Sequence, residues 1–319
     1  MQRPDINQET VHGNLGLQQA LIDVLDYSES LFPNTAAPVY YVSRNVQASV
    51  DGLSWDTAFK TIGEAIAKVN ANYALGTSLY PSKGRNAIIY IGEGWYSEVP
   101  LTLTASDVKI ICTASGHHDS TVLYGSATAG GYDIGAGGPA LKITGSNNTI
   151  YGLGVFTYDV LYAAIQNGAA AGGATYGNKF VNCSFVRDVA DGQKYGILDY
   201  GADGVLIDGC FFSTSCKDAG VWSASDGVVN PVNLVVRNSR FIGTPIGVQI
   251  NAGHNADIES NSFFDDTSDR ADVVDYPIVV EGTAFCFNNR AMMAKAGIIT
   301  GGGTISDVGN WGTDGYTTT

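Results

Sequence analysis

Asp199, His254, Asp265 and Asp266 are the residues in this sequence best suited by type to acid–base chemistry. Two carboxylates about 5–5.5 Å apart can cleave a glycosidic bond with retention, and a tighter cluster could hold Ca2+, which takes about 6–8 oxygen ligands. Asp265 and Asp266, joined by Asp269 in the run DDTSDRAD, form the densest acidic group and read first as a solvated loop. His254 stands in AGHN, and His117 and His118 stand in GHHD. An imidazole titrates near neutral pH and can take or give a proton there. Asp203 and Asp208 flank GADGVLIDG, where turn chemistry accounts for both. Aromatics offer a second chemistry, stacking on sugar rings, with Trp95, Tyr195, Trp222 and Tyr276 as candidates.

Composition narrows the field. The 17 basic residues are outnumbered by 31 acidic ones, for a formal charge of −14. Such a surface repels phosphate backbones and anionic lipid, so neither nucleic acid nor membrane is an expected partner. It also leaves few cations for an acidic-sugar groove. No run of about 18 apolar residues occurs, and the opening MQRPDINQETVHGNLGL lacks the apolar core of a signal peptide. The five cysteines include no Cys-x-x-Cys pair and read as reduced core thiols. No cofactor and no metal is expected.

The elements that must position these residues emerge from a repeat. The segments NTIYGLGV, NKFVNCSF, VLIDGCFF, LVVRNSRF, DIESNSFF and AFCFNNRA align with Val155, Phe185, Phe212, Phe241, Phe263 and Ala291 in one column. Successive differences between those numbers are 30, 27, 29, 22 and 28 residues. Five positions earlier stand Ile150, Phe180, Ile207, Val236, Ile258 and Cys286, all apolar. Three positions earlier stand Gly152, Asn182, Gly209, Asn238, Ser260 and Asn288, all small or turn-forming. A second apolar column, Ile165, Ile197, Val221, Val248 and Val279, follows in each of the first five units. Two residues beyond it lie Asn167, Asp199, Ser223, Ile250 and Glu281, expected to face outward. The carboxylates of Asp199 and Glu281 would then sit three coils, roughly 14 Å, apart at about 4.8 Å per coil. That is too far for one ion or for a retaining pair.

A period of 20–30 residues with short strands and Asn/Gly corners points to an all-β, right-handed, single-stranded parallel β-helix spanning about residues 39–300. Asn at the corners tolerates the left-handed backbone, and stacked Asn side chains could bond along the axis. Thr61-Ile62-Gly63-Glu64 is a capping box ahead of the stripe Ile62, Ala65, Ile66, Val69 and Tyr73. It predicts a helix over about 61–74 that plugs the solenoid end, where strand edges would otherwise invite aggregation. Residues 1–38 read as an N-terminal arm with a short helix whose apolar face is Leu17, Leu21, Val24 and Leu25. Residues 301–319 read as a Gly/Thr-rich tail.

The entry sequences YYVSRNVQASVDGLSWDTAFKTIGEAI and IYIGEGWYSE, with the Asn-rich coils after them, resemble the pectate-lyase-like right-handed β-helix superfamily. That superfamily hosts lyases, hydrolases, esterases, adhesins and virion proteins. The Asp-Asp, Gly-His-Gly and Arg-Ile-Lys set of polygalacturonase-type hydrolases is not matched, and no Gly-x-Ser-x-Gly occurs. The resemblance therefore implies a virion structural protein on the outer surface of a particle. It would be a phage capsid decoration protein or a head or tail fibre, homotrimeric, bound to capsid or tail proteins through its arm, with surface glycans as a further expected partner. A polysaccharide lyase or glycoside hydrolase of tailspike type, and a glycan-binding adhesin, are the alternatives.

Overall fold

In the computed structural model the described residues are 37–75, 87–98, 100–113, 121–125, 138–157, 161–168, 175–186, 193–200, 203–224, 232–264, 276–292 and 298–312. Val39–Thr319 is one compact unit. The arm residues Leu17, Leu21, Val24 and Leu25, and also Asp265, Asp266, Asp269, His117 and His118, lie outside the described residues. The unit holds three all-parallel sheets of ten, nine and eight strands, hereafter the first, second and third. The chain visits them in that order and then climbs one rung, as in Thr149–Tyr151, Gly154–Thr157, Ala163–Asn167 and then Lys179–Val181. This is a right-handed parallel β-helix.

The columns of the sequence are the rungs of the solenoid. Ile150, Phe180, Ile207, Val236, Ile258 and Cys286 are stacked register partners facing inward in the first sheet. The six residues of the corner column between the first and second sheets all have positive φ: Gly152 72°, Asn182 51°, Gly209 64°, Asn238 51°, Ser260 55° and Asn288 53°. Only residues that tolerate the left-handed region can turn the chain so tightly, which is why this column is so restricted in type. In the second sheet Phe185, Phe212, Phe241 and Phe263 form a stack with ring centroids 4.7, 4.7 and 4.8 Å apart. Facing them across the core are Gly196, Gly220 and Gly247, where an added Cβ would come within 2.6, 2.7 and 2.3 Å of a phenylalanine ring. Glycine in the third sheet makes room for the rings.

The polar ladder lies one residue beyond the corner column that suggested it. Ser239, Asn261, Asn289 and Asn310 occupy successive rungs, and the N–H of each of the first three donates to the Oδ1 of the next, at 2.9, 3.0 and 2.6 Å. The amides of Asn261, Asn289 and Asn310 also donate to the carbonyls of Val236, Ile258 and Cys286. Corner N–H and C=O groups that no strand can reach are thereby satisfied. In earlier rungs the same position is Cys183 and Cys210, whose thiols lie near backbone carbonyls. All five cysteines are free and buried, in keeping with core thiols.

The N-terminal helix spans Ile62–Leu75. Thr61 and Glu64 cap it reciprocally: the Glu64 N–H donates to Thr61 Oγ1 at 3.2 Å and the Thr61 N–H to Glu64 Oε2 at 3.0 Å. A second carboxylate, Glu98, accepts from the N–H groups of Ile62 and Gly63 at 2.7 Å each. Ile62, Ala65, Ile66 and Val69 are buried and Tyr73 packs beside them. The helix rests on Val39–Val42, Gly94–Glu98 and Leu101–Leu103, the first strands of the three sheets, and so closes the end of the core. At the other end the strands run past residue 300, through Thr304–Val308 and Trp311–Gly312, into the segment that composition marked as tail.

Candidate functional site

Asp199 and His254, remote in sequence, are both buried where the third sheet turns back to the first, His254 on Ser223, the register partner of Asp199. The column Asn167, Asp199, Ser223 and Ile250 is in register, as expected, but it faces inward. The pleat explains the correction. Side chains alternate with period two, so a residue two beyond an inward Ile165 or Ile197 shares its face. The next member is Val280 rather than Glu281, and the apolar column likewise continues through Ile278 rather than Val279. No outward column of carboxylates exists at this position.

The inward column forms a polar seam. Asn178 Nδ2 donates to Asn167 Oδ1 at 2.7 Å, and Asn167 Nδ2 donates to Asp199 Oδ1 at 2.9 Å. One rung on, Ser223 Oγ and His254 Nδ1 are 2.8 Å apart. His254 is placed by a tight turn in which its N–H donates to the Asn251 carbonyl, and its own carbonyl receives the N–H of Thr283. Asp199 and Ser223 have no solvent exposure and His254 has 1%. Among the described residues neither Asp199 Oδ2 nor His254 Nε2 has a hydrogen-bond partner. Burial pushes the Asp199 carboxyl up to about 7, opposed by the Asn167 bond, and burial holds His254 below its ordinary value against the Ser223 bond. Both groups are thereby biased toward neutrality near pH 7.

Serine, histidine and aspartate together suggest a nucleophile with its base, but the order differs. In that machinery histidine lies between the other two and the hydroxyl faces a substrate. Here His254 bonds Ser223 while Asp199 is bonded by Asn167 and not by the histidine, and the group is sealed in the core. What the arrangement does is satisfy buried polar groups and fix the packing of one corner. Sequence spacing had no means of pairing Ser223 with His254, 31 residues apart.

Other candidates are committed elsewhere. Asp208 is bound by Arg237 Nε and Nη2 at 2.9 Å each, and by Asn238 Nδ2 at 2.9 Å. Asp203 accepts from Asn233 Nδ2 at 2.8 Å. Tyr195 is buried against Trp222, ring centroids 4.6 Å apart, while Trp222 donates to Asn251 Oδ1. Trp95 and Tyr276 remain exposed, Trp95 edge-on to Tyr124 and Phe156. Among the described residues no three His, Cys, Asp or Glu side chains are grouped to hold a metal ion, and no helix is long and apolar enough to cross a membrane.

Three parallel sheets, a glycine or asparagine corner and a helical plug define the pectate-lyase-like right-handed parallel β-helix fold. Solved structures share it. Geobacillus virus E2 ORF18 matches with TM-score 0.57 and 14% identity, over 90% of this chain and 53% of that one, so this chain spans about half of the viral protein's length. Pectin methylesterase from carrot matches with TM-score 0.54 and 11% identity, over 89% and 86% of the two chains. Pectate lyase Pel9A matches with TM-score 0.52 and 14% identity, over 84% and 68%. No family model matches the chain, and no curated protein matches it in sequence.

Proposed function

We propose that this chain is a virion structural protein, a capsid decoration protein or a head or tail fibre, whose solenoid is a stiff projecting body and whose residues 1–38 attach it to capsid or tail proteins. The observation that carries the reading is the burial of Asp199 and His254 in the core, where they serve the packing of a corner. The viral origin of one fold neighbour supports it. Co-sedimentation of the full chain with purified capsids tests it. The full chain is expected to pellet with them, and the charge substitutions Leu21→Asp and Leu25→Asp are expected to abolish pelleting while leaving the circular dichroism spectrum unchanged. A full chain that stays in the supernatant would sink the attachment role.

A second reading has its own support. Pectin methylesterase and pectate lyase share the fold, and Trp95 and Tyr276 are exposed on the solenoid. In this reading the protein binds or cleaves a polysaccharide, with Asp265 and Asp266 as its remaining acid–base groups. Release of new reducing or unsaturated ends from bacterial surface polysaccharide by the full chain, lost in Asp265→Asn/Asp266→Asn, would favour it over the structural role.

A further inference from the structure

Charge is not spread evenly over the strands of the solenoid. In the nine strands of the second sheet the only charged residues are Glu98, which caps the N-terminal helix, and Arg240 and Arg290. Their guanidinium groups lie over aromatic rings on the outer face. Arg240 Cζ is 5.8 Å from the Phe211 ring centroid and 4.9 Å from that of Phe264, and Arg290 Cζ is 5.9 Å from Phe264. Ile242 and Met292, half-buried, extend the same face. Arg240 is exposed and forms no ion pair within the described residues.

The outer face of the first sheet has the opposite character at the same level. Asp257 and Glu259 stand beside their register partners Phe285 and Phe287, which are 44% and 40% exposed, with Val308 one rung further. Exposed phenylalanines in a row on a strand face are unusual for a free surface. Asp257 is exposed and, like Arg240, forms no ion pair among the described residues. Glu259 lies 3.8 Å from Arg237, an exposed pair of little strength.

We infer that the outer face of the second sheet in one copy docks on the outer face of the first sheet in a second copy, with Arg240 meeting Asp257 and with Phe264 and Met292 covering Phe285 and Phe287. The two faces complement each other in charge, and each is part aromatic, as interface cores are. They also match in height. Copies related by rotation about an axis parallel to the solenoid keep equal rungs level. Asp257 lies in the rung directly after that of Arg240, an offset of about 4.8 Å, within reach of an extended arginine. Because two different faces meet, the contact is heterologous; a rotation that closes gives a ring, here of three copies, and one that does not gives an open filament. The inference does not depend on the virion reading, since it concerns pairing of the body with itself.

The test is the mass of the full chain in solution by sedimentation velocity across a dilution series. The wild type is expected at a discrete multiple of 33.5 kDa, and rising salt is expected to lower the association constant. Arg240→Glu and Asp257→Arg should each weaken association by about tenfold or more, and the two substitutions together should restore it. Circular dichroism melts of the same samples separate loss of docking from loss of fold. A wild type that stays at 33.5 kDa at every concentration, or one whose association ignores both substitutions, overturns the inference. So does a monomer that binds soluble polygalacturonate through Arg240, because the arginine face would then serve an acidic glycan and not a second copy.

Discussion

Asp199 makes the stability of the fold depend on pH in a way that one substitution isolates. Its folded carboxyl titrates at about 7 against an ordinary 3.8, so between those values the folded state holds a proton that the unfolded state releases. Stability from this group is complete below about pH 4 and declines as pH rises. The decline is finished above about pH 7, where both states are ionised. The displacement of about three pH units, at about 1.36 kcal/mol each, makes the loss on the order of 4 kcal/mol. Asparagine keeps an acceptor for Asn167 Nδ2 and carries no charge. Asp199→Asn is therefore expected to match the wild type near pH 4 and to be more stable above pH 7, by up to that amount. Urea denaturation from pH 4 to 8, followed by circular dichroism, gives the difference at each pH. Subtracting the wild-type curve removes His254, whose contribution has the opposite sign and is lost as pH falls through about 6.5. A difference that stays constant across the range would refute the reasoning, because it would mean that Asp199 is ionised in the folded core.

The phenylalanine stack predicts that Gly220→Ala destabilises the solenoid by about 1–3 kcal/mol, since its methyl would sit 2.7 Å from the Phe241 ring and 2.9 Å from the Gly247 carbonyl; a neutral result in denaturant titration would show that the rings slide aside. Asn289→Ala leaves the Asn261 N–H and the Ile258 carbonyl without their partners, at about 1–3 kcal/mol for each buried group, and the same titration checks it. Because all five cysteines are buried and free, a thiol reagent should modify none in the native protein and five in denaturant. Rapid native labelling of even one would contradict the burial.

The first and second sheets were legible in the sequence because their joining corner admits few residue types. Positive φ selects Gly, Asn or Ser, and the stacked phenylalanines beside it mark the rung, so Gly152 to Asn288 and Val155 to Ala291 could be aligned from spacing alone. The return corner was not legible. It also has positive φ, at Asp107, Asn147, Gly177, Gly204 and Asn233, but the connections leading to it differ in length and hide the recurrence. The seam was misread for a different reason. Polar residues among strands suggest a wet face, yet Asn167, Asp199 and Ser223 follow the pleat inward, and only the three-dimensional placement of His254 supplies Ser223 with a partner. Glu98 was missed as a helix cap because it acts from 36 residues away, across the end of the core.

The fixed corner has a consequence for what the fold tolerates. From the inward residue of the first sheet to that of the second is five residues in six successive rungs: 150 to 155, 180 to 185, 207 to 212, 236 to 241, 258 to 263 and 286 to 291. Variation in length among these six rungs is therefore shed into the other two connections, outside the hydrogen-bonded register, whereas the earlier step from Cys112 to Thr121 is longer. Those connections behave as slack in a line whose knots are tied elsewhere. Foreign peptides spliced into them should ride on the solenoid without altering its pitch, whereas one residue added between Asn238 and Phe241 would turn every later side chain of that rung to the wrong face.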